Sequence, residues 1–82
     1  MITEKNKYNK EGLPHGYWEY YYHNRKLDCK GNYINGKRDG FWEEYNFNGK
    51  LLAKGNYINH GKVGYWEYYN FNGKLLYIIY YI

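Results

Sequence analysis

The 82-residue chain has little of what usually holds a small domain together. It has a single cysteine, Cys29, so no disulfide can close within the chain, and a reducing compartment is its natural setting. Valine and alanine occur once each, at Val63 and Ala53, which excludes a core built mainly from aliphatic side chains. The last apolar run, Leu75 to Ile82, is eight residues long and too short to cross a bilayer as a helix. The N-terminus, Met1-Ile-Thr-Glu-Lys-Asn-Lys7, lacks the apolar stretch of a secretory signal, so a cytoplasmic protein with no transmembrane segment is expected. No stretch has helical periodicity, which leaves no helix to assign. Missing too are a nucleophile elbow, a phosphate-binding glycine loop and any Cys–His pair, and with them the common routes to catalysis. The net charge of +4 comes from lysines and arginines interleaved with glutamates, the pattern of a solvated surface.

What is abundant is aromatic: Tyr, Trp and Phe make up 24% of the residues. Such side chains bury large areas with few rotatable bonds and can leave a polar tip in water, which suits a thin β-structure. They are also periodic. Gly16-Tyr-Trp-Glu-Tyr-Tyr21, Gly40-Phe-Trp-Glu-Glu-Tyr45 and Gly64-Tyr-Trp-Glu-Tyr-Tyr69 recur every 24 residues. Asn24, Asn48 and Asn72 keep the same spacing, as do Lys26, Lys50 and Lys74, and Leu27, Leu51 and Leu75. Gly31-Asn-Tyr-Ile-Asn35 returns as Gly55-Asn-Tyr-Ile-Asn59. The organisation expected is one domain over 1–82: a partial copy at 4–15, then repeats 16–39, 40–63 and 64–82.

Each copy reads as two β-biased runs around a turn. Asn48-Gly49 and Asn72-Gly73 are type I′ hairpin signals, because that turn needs positive φ at both central residues. A symmetric turn at Asn48-Gly49 sets Trp42 opposite Gly55 and Glu43 opposite Lys54. In the first copy the same register sets Trp18 opposite Gly31 and Glu19 opposite Lys30. An aromatic ring over a strand glycine and a Glu–Lys cross-strand pair both stabilise a sheet. In the third copy Ile79 and Ile78 replace the glycine and the lysine. The turns between copies have no evident register.

Alternation along the strands predicts two faces. Trp18, Trp42, Trp66, Leu27, Leu51, Leu75, Tyr33, Tyr57 and Tyr81 share the buried one, with Cys29 and Ala53 between them. Tyr17, Glu19, Lys30, Phe41, Glu43, Lys54, Tyr65 and Glu67 form the exposed one, a candidate binding face. The last strand is apolar on both faces, and Leu76, Ile78, Ile79, Tyr80 and Ile82 are candidate interface residues. Two coverings are open: a second copy of the chain, giving a homodimer, or curling of the sheet so that Ile79 and Tyr81 fold under the tryptophans.

Other constellations carry less. His15, His23 and His60 fall in three separate turns without ligand spacing, so no metal site is expected. Glu19, Glu43 and Glu67 supply carboxylates, but a residue repeated in every copy serves the scaffold, and no catalytic residue or cofactor is assigned. Tyrosines among lysines match a platform for single-stranded nucleic acid or anionic phospholipid headgroups.

The pattern G-x-W-x-x-Y, N-G-K-L, G-x-Y-x-N-G-K and again G-x-W, from about Tyr8 to Tyr81, resembles the bacterial variant of the MORN repeat. The resemblance implies an all-β, curved, single-layer antiparallel meander used as a scaffold, often dimeric, with lipid binding in some members. Bacterial variants are labelled antitoxin-like, and a phage could use such a fold against host proteins. The function expected is therefore non-catalytic: a small inhibitor, antitoxin-like or anti-defence protein occluding a protein partner. The alternative is a basic, tyrosine-rich surface for nucleic acid or anionic lipid.

Overall fold

A computed structural model describes residues 4–82; residues 1–3 of the N-terminal segment read above lie outside the described residues. Six strands follow one another: β1 (Gly16–Tyr21), β2 (Leu27–Ile34), β3 (Lys37–Tyr45), β4 (Leu51–Ile58), β5 (Gly61–Tyr69) and β6 (Leu75–Tyr81). They form one antiparallel sheet in chain order, and β1 and β6 do not pair. Among the described residues there is no helix, and so none long and apolar enough to cross a membrane.

The cross-strand register follows the repeat arithmetic. Trp18 faces Gly31 and Glu19 faces Lys30. Trp42 faces Gly55 and Glu43 faces Lys54. Trp66 faces Ile79 and Glu67 faces Ile78. Every neighbouring pair of strands also carries one irregularity, and such bulges bend and twist a sheet.

The turns differ from the sequence reading. At Asn48-Gly49 only Gly49 has positive φ, and the N–H of Gly49 donates to the carbonyl of Asn46. The N–H of Asn46 donates to the carbonyl of Lys50, so the loop holds three residues and the pairing shifts to Tyr45 with Leu51. Asn46 is the reason. Its side-chain oxygen accepts the N–H groups of Asn48 and Lys50, which locks a turn closed by one left-handed glycine. Asn70 does the same before Gly73. Type I′ geometry appears between the copies instead, where Asn35 and Gly36, and Asn59 and His60, all have positive φ.

The one-residue shift also removes the leucines from the core. Leu27 and Leu51 are half-buried and Leu75 is exposed. The core is Trp18, Cys29, Tyr33, Trp42, Ala53, Tyr57 and Trp66, with Tyr20, Tyr68 and Tyr81 packed against it. Its rings form a continuous edge-to-face ladder. Tyr33 meets Trp42 at 5.1 Å between centroids, Trp42 meets Tyr57 at 6.2 Å, and Tyr57 meets Trp66 at 5.0 Å. Over it lie two cations one repeat apart: the Arg38 guanidinium is 4.3 Å from the Trp42 ring and the Lys62 ammonium 4.7 Å from the Trp66 ring. Trp42 and Trp66 are fully buried as a result, although one sheet supplies the whole structure.

Candidate interaction strand and faces

The contacts that join one repeat to the next explain which side chains the array leaves free. Strand register sets Trp42 opposite Gly55, yet the ring lying on Gly55 belongs to Trp66. A Cβ built at Gly55 would stand 2.3 Å from that ring, and one at Gly31 2.2 Å from the ring of Trp42. Each glycine therefore makes room for the tryptophan of the following copy. The indole N–H groups donate the same way, Trp42 to the carbonyl of Asn32 and Trp66 to that of Asn56, each at 2.9 Å.

The ion pairs obey the same rule. Glu43 has Lys30 and Lys54 as strand partners on its two sides, and Lys54 has Glu43 and Glu67; the contacts within ion-pair distance join Lys30 to Glu43 and Lys54 to Glu67, both at 3.5 Å. Glu19 pairs with Lys5 at 2.7 Å rather than with Lys30. It also accepts from the Tyr17 hydroxyl at 2.8 Å and from that of Tyr21. The hydrogen bond from Lys5, followed by that from Tyr21, pulls its carboxyl down to about 2. Glu43 accepts from Tyr45 and Glu67 from Tyr69. Glu67 is likewise lowered, chiefly by Tyr69.

The eight residues expected on the binding face do lie together across the sheet. Phe41 and Tyr65 are exposed, while Tyr17, Glu19, Lys30, Glu43, Lys54 and Glu67 are half-exposed. An open groove of about 320 Å³ runs between Tyr17, Lys30, Gly31, Asn32, Phe41 and Glu43. The carboxylates of this face are committed to neighbours. A general base works best with a pKa near the operating pH, and Glu19 is driven the opposite way.

Two of the three histidines brace turns. His15 Nδ1 accepts the N–H of Asn35 at 3.0 Å, and His60 Nδ1 accepts that of Arg38 at 3.1 Å. Among the described residues no three His, Cys, Asp or Glu side chains gather in metal-binding reach. Cys29 is buried, and burial pushes its thiol up to about 11, away from reactivity.

At the two ends of the array the sheet edges differ. Along β1 the segment Lys5–Asn9 acts as the strand of a preceding repeat. The N–H of Asn6 donates to the carbonyl of Tyr17, and Asn6 Oδ1 accepts the N–H of Glu19. The Trp18 indole donates to the carbonyl of Lys7 at 3.0 Å, as Trp42 does to Asn32. Tyr8 packs edge-on to Trp18 at 5.2 Å. Among the described residues no such covering lies along β6. Leu76, Ile78, Ile79, Tyr80 and Ile82, the residues marked from sequence, are all exposed, together with Leu75 and Tyr77. Tyr81 alone turns inward, its hydroxyl 2.7 Å from that of Tyr68, so curling covers Tyr81 and leaves Ile79 39% exposed.

One basic row stood in the sequence as a repeat spacing and not as a candidate site. The repeated turns place Lys26, Lys50 and Lys74 along one side of the sheet, beside exposed Phe47 and Phe71. The stem of Lys26 lies against Gly49 and that of Lys50 against Gly73. None of the three lysines has an ion pair among the described residues. Their 24-residue spacing was the available signal.

No curated protein and no solved structure matches the chain. The family described as MORN repeat variant matches three consecutive segments, residues 14–35, 38–59 and 62–82, in step with the tryptophan rows and covering most of the sequence. An aromatic ladder built by 24-residue hairpins, each making room for the next, is thus the form taken here by a chain that belongs to the MORN repeat variant family.

Proposed function

We propose that this chain is a non-catalytic protein-binding module whose docking element is β6. One observation carries the reading: the strand from Leu75 to Tyr81 lies at an uncovered sheet edge with apolar side chains exposed on both faces. Such an edge presents unpaired backbone groups and apolar surface together, which another chain satisfies by adding a strand. The buried thiol of Cys29 and the lack of a second cysteine suit a reducing compartment such as the cytoplasm. Covering a partner's surface through this edge is how an inhibitor or antitoxin-like module would act.

The test compares the intact chain with an Ile78→Lys, Ile79→Lys double variant as bait in the cells that express it. A partner retained at about 0.5 M salt by the intact chain and lost by the variant is the expected outcome, because apolar contacts survive screening. Capture that is the same for both chains overturns the reading.

A second reading rests on the row of Lys26, Lys50 and Lys74 beside Phe47 and Phe71, which suits single-stranded nucleic acid or anionic headgroups. Against it, Lys5, Lys30 and Lys54 are paired with glutamates, and Arg38 and Lys62 lie over rings. Binding to oligonucleotides or acidic vesicles that falls steeply with salt would favour this second reading, since counterion release drives such contacts.

A further inference from the structure

We infer that the aromatic cage formed by Trp18, Tyr20 and Tyr33 binds a primary alkylammonium supplied from outside the chain, the end group of a lysine side chain or of a free amine. The site lies in the first hairpin, on the tryptophan face of the sheet, and is independent of β6.

The same cage is built twice, and one copy shows what it holds. Trp66, Tyr68 and Tyr81 stand two repeats after Trp18, Tyr20 and Tyr33. Their rings are arranged alike: Trp66 meets Tyr68 at 6.3 Å and 30°, and Trp18 meets Tyr20 at 5.6 Å and 31°. The hydroxyls of Tyr68 and Tyr81 lie 2.7 Å apart, those of Tyr20 and Tyr33 3.1 Å. An earlier tyrosine packs edge-on against each indole, Tyr57 on Trp66 at 5.0 Å and Tyr8 on Trp18 at 5.2 Å. Into the later cage the chain places its own ammonium. Lys62 Nζ lies 4.7 Å from the Trp66 ring, 5.3 Å from that of Tyr68 and 5.6 Å from that of Tyr81, and it donates to the Tyr68 hydroxyl at 3.0 Å. The position of Lys62 is held by Arg38 in the middle copy and by Pro14 in the first. Proline brings no charge, and among the described residues no cation lies over the Trp18 ring. Trp18 keeps 7% of its surface exposed, whereas Trp42 and Trp66 keep none.

The chemistry of the filled copy defines the ligand. Aromatic faces attract a cation within about 6 Å of their centroids. A tyrosine hydroxyl adds an acceptor, which Lys62 uses, so a group that retains an N–H suits the cage better than a quaternary ammonium. Burial, and then the bond to Tyr33, raise the Tyr20 hydroxyl above its ordinary value, so it meets the ligand as a neutral dipole. Arg38 serves the middle copy: it lies over Trp42 and Tyr57 and pairs with Glu44 at 3.6 Å. The Trp18 indole N–H is already given to the carbonyl of Lys7, which leaves the ring face for the contact. The net charge of +4 opposes an incoming cation, so the affinity expected is roughly millimolar.

An NMR titration of the whole chain with n-butylammonium, the lysine side chain without its backbone, tests this at about 0.15 M salt, where long-range repulsion is screened. The expected result is a saturable shift of the Trp18 indole N–H and of the Tyr20 and Tyr33 rings, with a Kd of roughly 1–10 mM and no such shift at Trp66. Neutral n-butanol should bind at least ~5-fold more weakly, the loss of a cation–ring attraction, and tetramethylammonium more weakly than butylammonium. Pro14→Lys should fill the cage from within and abolish the response. Because that change also alters the bridge between Tyr8 and Pro14, Lys62→Ala provides a reciprocal measurement in which Trp66 gains the response. N-acetyl-lysine methylamide carries the same ammonium on a peptide unit; tighter binding than butylammonium assigns the ligand to a protein side chain, and the reverse order to a free amine. No saturable shift, an equal response to n-butanol, or a tighter one to tetramethylammonium overturns the proposal. So does a Trp18 response that survives in folded Pro14→Lys, or a Trp66 that stays silent in Lys62→Ala. None of these outcomes bears on β6, which the Ile78→Lys, Ile79→Lys variant tests separately.

Discussion

Space, not backbone conformation, makes glycine obligatory at positions 31 and 55: neither has positive φ, and both lie in mid-strand beneath an indole. Gly31→Ala should therefore destabilise by about 1–3 kcal/mol or more, as overpacking does, although alanine normally suits a strand better than glycine. A double-mutant cycle read by chemical denaturation should couple Gly31→Ala to Trp42→Leu by more than about 1 kcal/mol. Coupling to Trp18→Leu should stay under about 0.5 kcal/mol, although Trp18 is the strand partner of Gly31. Trp42→Ala, at a fully buried ring, should cost about 3–5 kcal/mol. Glu19 adds a pH dependence of definite sign. Its folded carboxyl lies near 2 against an ordinary 4.5, so its contribution is complete above 4.5 and is lost as pH falls towards 2. Thermal melts across that window should fall less steeply for Glu19→Gln than for the parent chain.

The hairpin turns show how far local signals reach. The chain contains Asn-Gly at 35–36, 48–49 and 72–73, and only the first adopts type I′ geometry. At the other two a second asparagine, Asn46 or Asn70, captures the loop amides first, and dipeptide preference alone does not weigh that competition. Asn46 is buried, and it also donates to the carbonyl of Phe71 in the next turn at 2.8 Å. Asn46→Ala should cost about 1–3 kcal/mol, since it strands two loop amides and a carbonyl. Asn70→Ala, at a less buried position, should cost less, and parallel urea titrations of the two variants check the order. Strand order, face and register were legible in the sequence because Trp, Gly, Glu and Lys recur at fixed offsets. Which copy's Trp lies on which Gly was not, because that contact is made across the β2–β3 and β4–β5 ladders, where the pairing skips Gly31 and Gly55 at an irregularity that the symmetry of one hairpin does not contain. The exposure of Leu76, Ile78, Ile79, Tyr80 and Ile82 was legible as loss of the repeat pattern. Lys26, Lys50 and Lys74 were legible as a spacing, but not their grouping with Phe47 and Phe71, because side chains at hairpin ends meet only once the hairpins stand side by side.

At the scale of the whole molecule, each strand packs chiefly on its neighbours, and stability should be distributed as in other linear arrays. The middle strands β3 and β4 have a complete copy or its equivalent on each side. Native-state hydrogen exchange should find their amides slowest and those of β6 faster at low concentration. Asn6→Ala should loosen the other end, since one asparagine provides both side-chain hydrogen bonds to Glu19, and exchange at Glu19 should rise while that at Glu43 stays put.

The forward direction of the Gly–Trp and Lys–Glu contacts also bears on how such a chain can lengthen. Any 24-residue window taken from the interior brings a donor of space and a receiver of it, so duplicating residues 40–63 in place restores every junction whatever the point of cutting. Adding the same window after Ile82 restores none, because Ile78 and Ile79 stand where the new junction would form. This array would therefore lengthen by insertion from within. With Ile78 and Ile79 in place of the lysine and glycine, β6 is released from the pattern that a following copy would require, and its side chains can answer to another surface.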